Sequence, residues 1–267
     1  MFKRGVAMQR VLINCGGSQA NGDYSWVDTT VQKKFIPAKQ YMPETSYIMQ
    51  VGQFLNIDTH EWLSIGYTSN HEQVNKLKQC ITHHGLDFFK QNQVICFFLV
   101  SSVTILHLND QIIYAHPNDG EHFYNCNHWT EMMKDNRDEH LTPEFIKFQR
   151  QYLPFHHELQ KLQTDLNLFR EIFEGTGNHF FAYCSEQTYN LDLPDKNWLF
   201  KDSCTYDAVL QEAGLFKDFA NIEERAQIMV NAHLRDPWTF HYTQQGSKVV
   251  AKLIKDELHQ KFTRSKS

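Results

Sequence analysis

Three polar residues, far apart along this sequence, carry the side chains that nucleophilic catalysis requires. Ser18 follows Gly16-Gly17 after the apolar run Val11 to Ile13, while Asp236 and His241 lie near the other end of the chain. A serine hydroxyl becomes a good nucleophile when a histidine removes its proton, and a carboxylate can orient and stabilise that histidine. Backbone N–H groups must then stabilise the oxyanion that develops. These residue types therefore indicate nucleophilic catalysis by serine.

The segment from Arg10 to Asp28 would position Ser18. Its continuous apolar run stops at two glycines, which is typical of a strand buried on both faces of a parallel sheet. The following segment, Trp26 to Phe35, can wind as a helix with one apolar face. A serine between such a strand and helix lies at the carboxyl end of the strand, where open α/β sheets carry their chemistry. The alternative is a Gly-Gly-Ser turn that only caps the helix.

The rest of the chain alternates short apolar runs with segments of helical periodicity. This order predicts an α/β protein of the flavodoxin-like three-layer α/β/α type, with a parallel sheet whose first strand lies between the second and third. We expect a single domain over residues 1–267, with a loop and helix excursion at about residues 101–175. The predicted strands are 11–13, 60–65, 94–100 and 179–184, with short candidates at 103–108, 111–114 and 198–200. The predicted helices are 47–55, 71–89, about 142–173, 205–213, 222–233 and 244–262.

Composition limits the classes of partner. The 267 residues carry a net charge of −5, which argues against a nucleic-acid-binding surface. The histidine pairs His83-His84 and His156-His157 lack the partner spacing of a metal site, so no metal is expected. The six cysteines form no CxxC pair, and several lie in apolar runs, as Cys96 and Cys184 do, which indicates reduced core thiols.

The sequence contains no apolar stretch long enough to span a membrane, and its first ten residues contain no signal-peptide core. We therefore expect a cytoplasmic protein without a membrane span. The alternatives are association with a phage or virion and export by a route that needs no signal peptide.

Three segments resemble motif blocks of the SGNH or GDSL-type hydrolase family. The stretch GGSQANGDYSW is similar to the nucleophile block, with Gly17 in place of the usual aspartate, and LSIGYTSN is similar to the second block. The stretch HYTQQGSKVVAKLI is similar to the closing block, with a helix-opening Thr243 and a downstream Gly246. The blocks occur in the family's order and span nearly the whole chain. The resemblance implies Ser18 as nucleophile, Gly66 as a backbone donor to the oxyanion and His241 as general base.

Two features depart from the family pattern. The family's acid lies three residues before the histidine, where this chain has Trp238, and the nearest carboxylate is Asp236, five residues before His241. A bulge at Pro237 could still bring Asp236 to the imidazole. The family's asparagine after the third strand is also missing, since Ser101-Ser102 follow that strand, and the second side-chain donor to the oxyanion stays unassigned.

The resemblance implies a serine esterase that forms an acyl-enzyme on Ser18 and needs no cofactor or metal. Polar and aromatic loops at residues 36–46 and 101–140 favour a small-molecule or carbohydrate ester with an acetyl or other short acyl group. The alternative is a degenerate hydrolase fold that serves as a binding or structural module. A nucleotide-binding flavodoxin-like protein is a weaker alternative because no phosphate loop occurs where one is needed.

Overall fold

The computed structural model describes residues 8–17, 20, 46–57, 59–63, 70–101, 105–108, 111–114, 155–185, 188–217, 222–235 and 241–264. In chain order the elements are β1 (Arg10–Cys15), α1 (Tyr47–Phe54), β2 (Thr59–Trp62), α2 (Asn70–Gln91), β3 (Gln93–Val100), β4 (Ile105–Leu108), β5 (Gln111–Tyr114), α3 (Phe155–Gly175), β6 (His179–Cys184), a 3-10 turn (Asp195–Asn197), α4 (Thr205–Glu212), α5 (Ile222–Asn231) and α6 (Gln244–Arg264).

The main sheet has four parallel strands in the order β2-β1-β3-β6. Strand β1 is paired along both edges, and its apolar residues are buried, as the continuous apolar run predicted. The α/β class, the parallel sheet and the position of the first strand between the second and third are therefore confirmed. Parallel pairing also brings the carboxyl ends of all four strands to one edge.

Helix α3 packs against one face of this sheet. The rings of Phe169 and Phe173 lie 6.2 and 5.8 Å from the ring of Phe180 on β6, and Phe169 also lies 6.4 Å from Phe98 on β3. The last part of the predicted excursion at about residues 101–175 therefore contributes buried rings to the core. The apolar positions of α3 recur at helical spacing, which is why this helix can cover a sheet.

Helices α1 and α6 contact the β6 side chains that alternate with Phe180 along the strand. Phe262 of α6 lies 6.3 Å from the ring of Phe181, and Tyr47 of α1 lies 6.4 Å from the ring of Tyr183. Successive side chains of a strand point to opposite faces, so these two β6 residues face away from Phe180 and α3.

Several local predictions need correction. Strands β4 and β5 pair with each other as a separate antiparallel sheet instead of extending the main sheet. Trp198 makes one parallel bridge to Ala182 instead of forming a fifth strand. Gly85, at φ 71°, interrupts α2 because glycine tolerates this backbone conformation. The predicted helix at 26–35 and the start of the helix predicted at 142 lie outside the described residues.

The described cysteines, at positions 15, 80, 96, 184 and 204, are buried free thiols, as expected for reduced core residues. No described helix has the length and hydropathy to cross a membrane.

We predict that Gly246→Ala destabilises the fold, because a Cβ there would lie 2.0 Å from the backbone oxygen of Leu234. Backbone atoms cannot move aside cheaply, so we expect a loss of about 1–3 kcal/mol in the free energy of unfolding. Gly175→Ala is the control, since a Cβ at that position meets no atom within 4 Å and its effect should stay within about 0.5 kcal/mol. Urea unfolding followed by circular dichroism compares the two; equal midpoints would contradict the packing argument.

Candidate functional site

Of the four residues predicted to form the site, His241 is described, while Ser18, Gly66 and Asp236 lie outside the described residues. The imidazole of His241 is buried, with 4% of its residue surface exposed. Residues on both sides of Ser18 and of Asp236 are described, so the structure shows what holds the ends of these two segments.

The chain turns back on itself directly after β1. The N–H of Ala20 donates a hydrogen bond to the carbonyl of Gly17 at 3.0 Å, and Ala20 is completely buried. A Cβ on Gly16 would lie 2.6 Å from Cβ of Ala20, which is closer than real Cβ contacts come. Glycine at position 16 is therefore required by the close approach of two chain segments on either side of residues 18 and 19.

Ser46 connects this turn to the start of α1. Its Oγ donates to the carbonyl oxygen of Ala20 at 2.8 Å and accepts from the N–H of Met49 at 3.2 Å. Ser46 thus satisfies an otherwise unpaired helix N–H as the N-cap residue of α1. The same buried hydroxyl holds the chain that follows β1.

A cluster of buried tyrosines continues from α1 towards the C-terminal segment. The hydroxyl oxygens of Tyr47 and Tyr183 lie 3.3 Å apart, and the ring of Tyr47 meets that of Tyr242 edge-on at 5.9 Å. The ring of Tyr206 meets Tyr242 at 6.1 Å. Burial raises the pKa of Tyr47, Tyr183 and Tyr242, so these three hydroxyls stay neutral at physiological pH.

The segment that carries His241 is tied to the carboxyl end of β6. Tyr242 donates from its hydroxyl to Oγ1 of Thr205 at 3.1 Å, and Thr205 donates to the carbonyl of Ser185 at 2.8 Å. Ser185 directly follows β6. His241 therefore lies next to a residue anchored at the edge of the sheet where β1 also ends.

Both ends of the segment from 236 to 240 are held together. Arg235 and Tyr242 form an antiparallel bridge, and the N–H of Thr243 donates to the carbonyl of Leu234 at 3.0 Å. The guanidinium carbon of Arg235 lies 4.2 Å from the centre of the Tyr206 ring and 5.5 Å from that of Tyr242, a cation–π arrangement inside the core.

Thr243 opens helix α6, as predicted. Its Oγ1 accepts from the N–H of Gly246 at 3.1 Å and donates to the carbonyl of His233 at 2.7 Å. Because residue 246 is a glycine, the first turn of α6 can pack directly against Leu234, which precedes the bridge between Arg235 and Tyr242.

A polar contact at the end of β3 could not be identified from the sequence. Oδ1 of Asn70 accepts from the N–H of Ser101 at 2.9 Å, while its Nδ2 donates to the carbonyl of Ser101 at 2.9 Å. Asn70 closes the second motif block and begins α2. Because its amide pairs with the backbone of Ser101, this asparagine fixes the end of β3 to the start of the helix.

One group of described residues could hold a metal ion. A ligand atom from each of Glu61, Cys80 and His84 lies within 4.8 Å of the other two. The sequence did not predict this group, because its adjacent histidine pairs lack the spacing of metal ligands. The available signal was the four-residue spacing of Cys80 and His84 on one helix, because residues at i and i+4 are neighbours on a helix surface.

Comparisons with known proteins give little further information. No family model matches the chain, and no curated protein matches it. A solved structure described as "a putative SGNH hydrolase from Slackia heliotrinireducens" is similar over 94% of this chain and 99% of that chain, with 10% sequence identity and a TM-score of 0.36. A similarity at this level does not establish a family or a function.

We predict that Ser46→Ala lowers the free energy of unfolding by about 1–2 kcal/mol, since it removes a helix cap and a buried hydrogen bond to Ala20. Thr82→Ala provides the comparison, because its hydroxyl bonds within an exposed helix turn and its loss should cost at most about 0.5 kcal/mol. Thermal unfolding of both variants tests this. If Ser46→Ala unfolds at the same temperature as Thr82→Ala, the hydroxyl does not hold the segment after β1.

Proposed function

We propose that this chain is a serine esterase of the SGNH type, with the three-layer α/β/α arrangement of that family. In this proposal Ser18 is the nucleophile, His241 is the general base, Asp236 orients the imidazole and the N–H of Gly66 binds the oxyanion. One observation carries the proposal. Described residues close in sequence to Ser18 and to His241 are joined by direct contacts beside the carboxyl edge of one parallel sheet.

The contacts form a short series. The carbonyl of Ala20, two residues after Ser18, accepts a hydrogen bond from the hydroxyl of Ser46. Tyr47, which follows Ser46, packs against Tyr242. His241 immediately precedes Tyr242 in the chain. Two segments more than 200 residues apart in sequence therefore approach each other where strand ends in open α/β sheets usually carry a catalytic site.

The bridge between Arg235 and Tyr242 supports Asp236 as the acid, although Trp238 occupies the family's usual position. Asp236 follows Arg235 and His241 precedes Tyr242, so chain geometry limits the separation of their Cα atoms to about 13 Å. The bridge therefore keeps Asp236 and His241 within one short loop, which supports a contact between the carboxylate and the imidazole.

In the proposed reaction, His241 removes the proton of the Ser18 hydroxyl as the oxygen attacks the ester carbonyl carbon. The electron pair of the carbonyl moves onto its oxygen, where the backbone N–H groups of Ser18 and Gly66 stabilise the negative charge. The carbon–oxygen bond to the alcohol then breaks, and the alcohol leaves with the proton from His241. Water, deprotonated by the same imidazole, hydrolyses the acyl-enzyme and regenerates the serine.

The proposed substrate is an ester with an acetyl or other short acyl group on a polar or carbohydrate carrier. The support is compositional, since the segments 36–46 and 101–140 are rich in polar and aromatic residues. The second candidate function is a binding module that retains the fold without the activity, and Trp238 at the position of the family's acid favours it.

We predict that Ser18→Ala abolishes hydrolysis of a chromogenic acetyl ester and labelling by a fluorophosphonate. His241→Ala should lower turnover to a comparable extent, by at least about a thousandfold, because the members of a triad act as a unit. Ser203→Ala is the matched control, since the Ser203 hydroxyl bonds only to the neighbouring Cys204 carbonyl at 3.3 Å and its variant should label like wild type.

Peptide mass spectrometry after fluorophosphonate labelling identifies the modified residue directly. An adduct on Ser18 supports the esterase. A wild-type chain that neither hydrolyses acetyl esters nor takes up the probe would instead support the binding module. Full turnover by folded Ser18→Ala would exclude Ser18 as the nucleophile.

Asp236→Asn should leave the fold unchanged and lower turnover steeply, because an amide can stabilise the wrong imidazole tautomer. If His241 works without Asp236, the loss should stay below about tenfold, or about 1.4 kcal/mol of barrier. Asp202→Asn, at an exposed turn, controls for the change in charge. Steady-state kinetics of both variants beside Ser18→Ala decide between a triad and a Ser–His pair.

A further inference from the structure

A second group of side chains, whose donor atoms can bind a metal ion, lies between the edge strand β2 and helix α2. Nε2 of His84 is 3.0 Å from both carboxylate oxygens of Glu61, and the sulfur of Cys80 lies within 4.8 Å of a ligand atom of each of these two residues. Cys80 is buried, while the side chains of Glu61 and His84 are 31% and 25% exposed. From this geometry we propose that Glu61, Cys80 and His84 form a binding site for a zinc ion.

The fold explains why these three side chains converge. Glu61 is the Cα partner of Ile13 in the parallel pairing of β2 with β1, so both side chains lie on the same face of the sheet. Cys80 and His84 are four residues apart on α2, which places them one above the other on one side of the helix. Stacking of the His84 ring on Phe88, at 4.3 Å and 23°, further fixes the imidazole.

The spacing of the donor atoms suits a small tetrahedral ion. Zinc bonds of 2.0–2.3 Å place the ligand atoms of a tetrahedral site about 3.3–3.8 Å apart. The 3.0 Å contact between Glu61 and His84, and the 4.8 Å limit for the whole set, lie on either side of that range. Small side-chain rotations therefore suffice to admit the ion. Partial exposure of two ligands leaves the fourth position to water.

The donor types select the metal. A thiolate, an imidazole and a carboxylate together suit zinc, which accepts sulfur, nitrogen and oxygen ligands. Calcium and magnesium prefer sites made of oxygen ligands, so these ions fit poorly. Two negative ligands would balance the charge of a divalent ion, which makes the loaded site neutral overall.

Without a metal, Cys80 is a poor nucleophile. Burial, and then the neighbouring Glu61 carboxylate, raise the pKa of its thiol, so it stays protonated at physiological pH. Metal binding would break the S–H bond, form a sulfur–metal bond and release the proton to solvent.

The site is separate from the proposed catalytic residues. Asn70, at the start of α2, lies beside the carboxyl end of β3, whereas Cys80 and His84 are about 15 and 21 Å further along the helix axis. The ion would link an edge strand to the helix that covers it, so its expected effect is on stability. This inference does not depend on the esterase proposal.

Cobalt titration of the full-length, reduced protein tests the site. Co²⁺ replaces zinc in such sites, and a thiolate ligand produces a sulfur-to-cobalt charge-transfer band in the near ultraviolet. We expect this band to saturate at one ion per chain and to disappear when zinc is added. Zinc should also raise the Tm of the wild-type protein, because an ion that binds only the folded state stabilises it.

Matched variants identify the ligands. Cys80→Ala should abolish the charge-transfer band, and His84→Ala and Glu61→Gln should weaken cobalt binding by at least about tenfold. His83→Ala removes the neighbouring histidine, and Cys184→Ala removes another buried thiol; both should bind like wild type. Circular dichroism confirms that each variant is folded, and Glu61→Gln, at a partly exposed position, tests the site if Cys80→Ala does not fold.

Three results would overturn the proposal. The first is a wild-type protein that shows no thiolate-to-cobalt band at micromolar cobalt. The second is a folded Cys80→Ala variant that keeps the band. The third is equal loss of binding in His83→Ala and His84→Ala. Ser18→Ala should bind cobalt as wild type does, so failure of the metal site and failure of the esterase proposal are distinguishable.

Discussion

Hydrogen bonding of β1 along both of its edges is the constraint on which the rest of the structure depends. Residues 11 to 15 are almost completely buried, so this strand can exist only with β2 on one side and β3 on the other. Parallel pairing fixes the direction of every neighbouring strand and therefore brings their carboxyl ends to one edge. The helices then cover the faces with aromatic side chains, among them Phe169 of α3 and Phe262 of α6.

Two close backbone approaches shape the edge of the sheet where the proposed catalytic residues lie. Gly16 leaves space for the chain to turn back towards Ala20, and Gly246 lets α6 begin against Leu234. Two described polar side chains near this edge are paired, as in the contacts of Ser46 with Ala20 and of Asn70 with Ser101. Removing one partner would leave a buried polar group unsatisfied, which costs more than the bond itself contributes.

The two proposals concern different physical problems in the same fold. At the carboxyl edge, a buried tyrosine cluster includes Tyr242, the chain neighbour of His241, and burial raises the pKa of Tyr242 so that its hydroxyl stays neutral. Between β2 and α2, the imidazole of His84 contacts the carboxylate of Glu61, and the thiol of Cys80 lies close to both. The sequence indicates the first group through three motif blocks, whereas the second depends on Glu61 and Cys80, whose side chains meet only because a strand packs against a helix.

The sequence by itself determined the α/β class, the parallel order of β1, β2 and β3, most of the helices and the helix-opening role of Thr243. These features follow from local patterns, namely continuous apolar runs, 3.6-residue periodicity and capping residues. Only the tertiary structure decided that β4 and β5 pair in a separate sheet, that Trp198 makes a single bridge and that Glu61 meets His84. Such outcomes depend on which surfaces pack together, and no local pattern encodes contacts between residues that lie far apart in the chain.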